Sequence, residues 1–346
     1  MSTAIQWTNE TWNPIAAYDS ETGKRGWFCV HASTGCLHCY AEDFNRFRGN
    51  GHAYRVGEIN NVDIQLVDHV LLQPFHWRKP RRVFPCSMTD LFLDAHSDEM
   101  LDVVFAVMAL TPQHTYQVLT KRAARMREYF ARRDRKRMIA AAAAEVSQRR
   151  AVAAGSVEGR ISLDHFQQCF AAPGPFPNVW LGTTVENDKV AHERIGALLR
   201  TPAAIRFLSC EPLLGTLDLS PYLDRCEFSH DDGEASVFRS SLAWVIVGGE
   251  SGKNARPFDL AWARSIVHQC RAAGVAPFVK QLGARPACAN DEHSELWPGA
   301  TPPFAEDYEP QYQGEIAPLT LSDSHGGDWD EWPADLRVRE FPTVRA

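Results

Sequence analysis

Ala243-Trp244-Val245-Ile246-Val247-Gly248-Gly249-Glu250-Ser251-Gly252 joins a short, unbroken apolar run to an abrupt polar, glycine-rich end. A strand apolar on both faces leaves no side for water, so it belongs inside a parallel sheet covered by helices. The same figure recurs along the chain. Arg82-Val83-Phe84-Pro85-Cys86 runs into Ser87-Met88-Thr89-Asp90, and Thr115-Tyr116-Gln117-Val118-Leu119 runs into Thr120-Lys121-Arg122. Asn178 to Val185 runs into Glu186-Asn187, Ala204 to Ser209 into Cys210-Glu211-Pro212, and Pro277-Phe278-Val279 into Lys280-Gln281. Between them lie amphipathic, helix-length stretches such as Asp98 to Leu110 and Ala261 to Ala273. The alternation predicts an α/β fold, a partial (open) TIM-like barrel of about six to seven parallel βα units. An open doubly wound sheet is the alternative.

Working outward, the barrel is expected over 1–288 and an irregular extension, with Trp297, Trp329 and Trp332, over 289–346. The extension is expected to pack on the barrel rather than to form a separate domain. Residues 131–160 are basic and alanine-rich and read as an exposed helix in an insertion near 131–175. A nucleic-acid contact is the functional reading of that helix, and a solvated charged face the plain one. Residues 18–28 read as a polar loop, and Tyr40 to Phe47 as the start of a helix. With 346 residues, 45% of them hydrophobic, the chain has ample material for a core. A net charge of −7 excludes a wholly basic nucleic-acid coat but leaves room for a local basic groove. No basic segment leads into an apolar run at the N-terminus, and no stretch of some twenty apolar residues occurs, so a cytoplasmic protein with no membrane contact is expected.

Three of nine cysteines, Cys29, Cys36 and Cys39, fall in the spacing Cys-x6-Cys-x2-Cys. An odd cluster cannot pair internally and points to a metal. A 4Fe–4S cluster with one open iron fits three thiolates. Zinc is the alternative metal, with His31 or His38 as fourth ligand. A loop leading into a helix would also bring backbone N–H groups to an anionic cluster.

The strand ends offer further chemistry. Glu186, Glu211 and Glu250 are carboxylates that can bind ribose hydroxyls or an amino group, or act as acids and bases. They could equally pair with Lys121, Arg122 or Lys280 in a polar barrel mouth. Gly248-Gly249 permits close backbone approach to a ligand, without the spacing of a nucleotide-triphosphate loop. Lys121 and Lys280 can hold a carboxylate or phosphate. Asp90 reads as a helix cap. Trp7, Trp12 and Tyr40 can stack on a base, although such residues are commonly core.

Ile5-Gln6-Trp7-Thr8-Asn9-Glu10-Thr11-Trp12-Asn13-Pro14, Gly35-Cys36-Leu37-His38-Cys39-Tyr40-Ala41-Glu42, Leu119-Thr120-Lys121-Arg122, Ser209-Cys210-Glu211-Pro212-Leu213-Leu214-Gly215 and Val247-Gly248-Gly249-Glu250-Ser251-Gly252 together resemble the phage-associated three-Cys-motif family. The likeness runs from about Ile5 to Pro342. That family is in turn similar to radical S-adenosylmethionine (SAM) enzymes. The resemblance implies a 4Fe–4S cluster on Cys29, Cys36 and Cys39, with SAM on the open iron and reductive cleavage to a 5′-deoxyadenosyl radical. The commonest spacing in those enzymes is Cys-x3-Cys-x2-Cys, so the first gap departs from it. From the strand-end reading, Glu211, Glu250 and Lys121 are the expected catalytic residues, and Tyr40, Glu186, Gly248, Gly249 and Lys280 are expected to bind cofactor. Of these the resemblance carries only the Gly248-Gly249-Glu250 turn, which would resemble a SAM-contacting glycine motif. The implied partners are nucleic acid, in a phage or prophage, and an electron donor such as a flavodoxin or ferredoxin. A zinc-stabilised nucleic-acid-binding protein without redox chemistry is the competing expectation.

Overall fold

In the computed structural model, residues 3–155, 161–171, 174–223, 225–229, 235–239, 242–289 and 316–343 are described. Seven strands form a parallel sheet whose order follows the chain. They are β1 (Glu10–Trp12), β2 (Arg82–Pro85), β3 (Thr115–Thr120), β4 (Val179–Thr184), β5 (Ile205–Cys210), β6 (Leu242–Gly248) and β7 (Ala276–Gln281). Each strand neighbours the next in sequence and β1 and β7 are the end strands, which is the winding of a barrel left open. A doubly wound sheet would reverse its order at a switch point, and this one does not. The α/β half-barrel expected from the apolar runs is the fold found. Those runs are mostly buried: every residue of β4 is buried, and β2, β3, β5, β6 and β7 each have only one or two half-buried positions.

The chain divides into two compact units, Met1–Thr183 with Ala197–Arg206, and Thr184–Gly196 with Phe207–Ala346. In the first unit, helix α1 (Tyr40–Arg48) begins one residue after Cys39, as the sequence predicts. Helix α2 (Asp98–Leu110) starts where the Ser97 side chain accepts a hydrogen bond from the Met100 N–H. It is not amphipathic in the ordinary sense, because Leu101 to Leu110 are all buried. Helices α3 (Ala123–Ala131), α4 (Arg135–Ala154) and α5 (Leu163–Ala171) follow β3, and α4 packs on α2. The expectation of an exposed α4 is therefore corrected: Ile139, Ala143 and Val146, at i, i+4 and i+7, are buried among the alanines. Arg135 is buried too, held by Asp98 and by Asp102 at 2.9 Å.

A second correction concerns the loop expected at 18–28. Ile15–Asp19, Arg25–Gly26 and Val62–Leu66 form a small antiparallel sheet between β1 and β2. Asn45 and Asn50 bind it to α1: Asn50 Nδ2 donates to Ala17 O and Trp27 O, and Asn45 Oδ1 accepts from the Trp27 N–H at 2.9 Å. A Cβ on Gly26 would lie 2.2 Å from Asn50 N, so only glycine fits there. Trp7 and Trp12 are core, at 2% and 0% exposure, and Trp12 donates its indole N–H to Val70 O. Neither is available for stacking.

The second unit holds α6 (Asp188–Leu199) up to Gly196, then β5 to β7 and α7 (Leu260–Ala273). Asp259 caps α7 by accepting from the Ala261 N–H, and Gly274 at φ 69° ends it. The extension is more regular than expected, since Pro286–Ala289 pairs with Ile316–Pro318. Farther on, Val279 N donates to Val338 O and Glu340 N to Pro277 O, covering the outer edge of β7. Arg339 lies 4.8 Å from the Trp329 ring and 5.5 Å from that of Trp332. Trp297 falls outside the described residues. Among the described residues no helix is long and apolar enough to cross a membrane.

Candidate functional site

Cys29, Cys36 and Cys39 lie on one loop, all partly buried and none in a disulfide. A 3-10 turn over Thr34–Cys36 brings the second cysteine round, and Cys39 occupies the N-cap of α1. Each sulfur meets a polarised donor or a cation. Ala32 N–H donates to Cys36 Sγ at 3.4 Å. Burial raises the Cys39 thiol, while backbone N–H groups of Glu42 and Ala41 and the nearby Lys121 charge act the other way. Burial, then the Asp90 carboxylate, push Cys29 up to about 11, with Arg122 opposing. Burial thus favours the protonated thiol at Cys29 and Cys39. Among the described residues, no three His, Cys, Asp or Glu side chains converge as a finished metal site. His31, one of the two candidates for a fourth zinc ligand, instead meets Glu42 at 2.6 Å. Glu42 also accepts from Arg46 at 3.0 Å and from the Tyr54 N–H at 3.2 Å.

The loop is fastened over the carboxyl ends of β1, β2 and β3. Asn13, after β1, accepts from Met88 N and donates to Ser87 Oγ. Tyr40 Oη donates to Ser87 O at 2.6 Å and Tyr54 Oη to Met88 O at 2.8 Å. These carbonyls are presented by Cys86, a non-glycine residue at φ 57°. Asp90 is the centre of the arrangement. It accepts from Thr120 Oγ1 at 2.6 Å, Lys121 N at 2.9 Å and Phe92 N at 3.0 Å, and from Arg122 at 3.2 Å. Arg122 then reaches Val30 O in the cysteine loop at 2.6 Å. The cap reading of Asp90 missed this, because its partners come from a strand end thirty residues away.

The second unit holds the glutamates. Glu186 is fully buried and meets Arg194 at 2.8 Å, while that guanidinium also donates to Thr184 O. Glu250 is gripped by Arg256 through two side-chain hydrogen bonds, 2.7 and 2.9 Å, and by the Arg256 N–H. Glu211 pairs with Lys280 and accepts from Gln281 at 3.4 Å. Each strand-end carboxylate thus has a cation of its own, two of which, Arg194 and Arg256, were not singled out from sequence. Gly249 is needed for a close approach to the chain itself, since a Cβ would stand 2.5 Å from Leu282 O. At Gly248 the nearest atom would be 3.4 Å away, and Glu211 Cδ 3.5 Å.

The chain belongs to the family described as "Protein of unknown function (DUF5131)", whose model matches residues 2–308. No curated protein matches it. A solved structure of a spore photoproduct lyase mutant aligns with 81% of this chain and 76% of its own, at 11% identity and a TM-score of 0.28.

Proposed function

We propose that the chain is an iron–sulfur protein, a radical-SAM-like enzyme acting on nucleic acid, with a 4Fe–4S cluster on Cys29, Cys36 and Cys39. One observation carries the reading: three unpaired thiols sit on a loop held over the carboxyl ends of parallel strands, where α/β barrels build their sites. The donor set suits the group. A cluster on three thiolates is anionic, and N–H groups of Ala32, Ala41 and Glu42 with the charges of Lys121 and Arg122 favour negative charge on these sulfurs. Bound there, such a cluster would carry an electron from an external flavodoxin or ferredoxin to SAM on its open iron.

The chain's own residues have separable tasks in this reading. Asp90 and Arg122 fix the loop, Lys121 balances charge beside Cys39, and Tyr40 anchors the start of α1. Glu211, the most accessible of the three strand-end glutamates, and its partner Lys280 are the residues of the second unit proposed to meet SAM or substrate. Glu186 and Gly249 are already engaged in packing, so no cofactor role is extended to them. Nucleic acid is supported by the surface beside the cysteines. Leu37, Tyr40, Phe44 and Phe47 are 61%, 58%, 49% and 82% exposed and follow helical spacing, next to Arg46 and Arg48. Aromatic rings interleaved with arginines suit unstacked bases of a single strand.

Anaerobic purification with assays of iron, sulfide and zinc tests the proposal. A brown protein with roughly four irons per chain, lost in Cys36→Ala and Cys39→Ala, is expected. Stoichiometric zinc without iron after anaerobic reconstitution would overturn it in favour of a zinc-stabilised module.

A further inference from the structure

A cavity of about 250 Å³ lies at the amino end of β4, whereas the cysteine loop caps the carboxyl ends of β1 to β3. Its floor is apolar, made by Ile139, Phe176, Val179 and Leu181. Its rim is cationic, with Arg133 and Lys136, while Arg132 there is already bonded to Asp134 at 3.3 and 3.4 Å. Among the described residues no carboxylate lines it. Arg135 also borders the cavity, but its guanidinium is committed to Asp98 and Asp102 and lies 3.8 Å from the Tyr129 ring.

Two features set this rim apart from an ordinary solvated surface. Lys136 leans inward: its Nζ donates to Gly174 O at 3.3 Å and stands 5.4 Å from the Phe176 ring. Burial there lowers its pKa, so the site holds the ammonium at a cost. Helix α4 carries Asp134 at its N-cap, as the helix dipole favours, but the turn that follows, Arg135-Lys136-Arg137, is wholly cationic.

We propose that this cavity binds a phosphate monoester carrying an aromatic ring, with the ring on the apolar floor and the phosphate on Arg133 and Lys136. Clustered guanidinium and ammonium groups suit a dianion with three acceptor oxygens better than a carboxylate. The proposal stands apart from the iron–sulfur reading, since it uses none of the same residues.

Calorimetric titration of the full chain with phenyl phosphate, inorganic phosphate and phenol tests it. Phenyl phosphate is expected to bind about tenfold or more tightly than either fragment, because only it engages both halves of the cavity. Lys136→Ala and Arg133→Ala should each weaken it about fivefold while the urea midpoint stays in place. Ala203→Phe, which fills the cavity from its wall, should abolish binding. Equal binding of phosphate and phenyl phosphate, or full binding by both Lys136→Ala and Ala203→Phe, would overturn the proposal. The titration repeated on the triple Cys→Ala chain should give the same affinity, which separates its outcome from that of the iron assay.

Discussion

The cysteine loop and the strand-end glutamates present opposite kinds of polar site. In the first, the thiols are left without disulfides, and most hydrogen bonds go to the scaffold around them. Asp90, Asn13, Glu42 and Arg122 spend their bonding capacity on carbonyls and N–H groups of the loop and its strands. In the second, Glu186 and Glu250 are themselves consumed by Arg194 and Arg256, and of the three only Glu211, beside Lys280, keeps partial exposure. Polar residues at the ends of buried strands therefore do not all signal chemistry. What distinguishes a reactive group is whether its neighbours hold the backbone or hold the group itself.

The sharpest way to break this contrast is Glu186→Ala. It strands Arg194 in the interior and should cost about 3–5 kcal/mol in urea unfolding. Triple Cys→Ala of the metal-free chain should cost far less, since the thiols are only partly buried. Comparable losses would show that the loop is structural. A smaller effect separates the two adjacent glycines. Gly249→Ala must move Leu282 O and should cost about 1–3 kcal/mol, whereas Gly248→Ala should be nearly silent by the same unfolding measurement. Smaller still in stability, Phe47→Ala should leave the unfolding midpoint unmoved. It should weaken single-stranded oligonucleotide binding in a fluorescence-anisotropy titration by about 1–3 kcal/mol; unchanged affinity would remove α1 from the proposed nucleic-acid surface.

The mildest test is pH. His52 donates to Asp19 at 2.6 Å and to Glu58 at 2.9 Å, which requires the imidazolium. Burial opposes that charge, but the two carboxylates outweigh it and raise the His52 pKa above 6.5. Bonds from Thr22, then His52, hold Asp19 below 3.8, and bonds from Asn61, then His52, hold Glu58 below 4.5. The His52 contribution is complete below pH 6.5 and fades as pH rises through its raised value. The carboxylate contributions are complete above their ordinary values and fade as pH falls through the lowered ones. Stability of the small sheet should therefore be greatest between about pH 4.5 and 6.5. Hydrogen exchange of Ala17 and Tyr18 amides across pH checks it, and His52→Gln should flatten the upper limb.

The half-barrel was legible because its strands are continuously apolar, as in Trp244 to Val247, and burial on both faces demands that pattern. The cysteine loop was legible from spacing alone. The small sheet was not, since Arg25–Gly26 and Val62–Leu66 are short and half-exposed, and side chains distant in sequence complete them. Nor was the fate of the glutamates: Arg194 sits eight residues after Glu186, and only the fold turns it back onto the carboxylate. The buried face of α4 was hidden because alanine fills both its exposed and its buried positions.

The cover over β7 also has a consequence in time. Pro277 in β7 and Glu340, which binds it, are separated by 63 positions along the chain. At the usual pace of translation, about 5–20 residues per second, that edge emerges from the ribosome roughly 3–13 s before its partner is made. For that interval the nascent sheet offers an unpaired strand to its neighbours on the same message. A polysome crowded with such chains is where mispairing between copies should begin, and where a chaperone would be of most use.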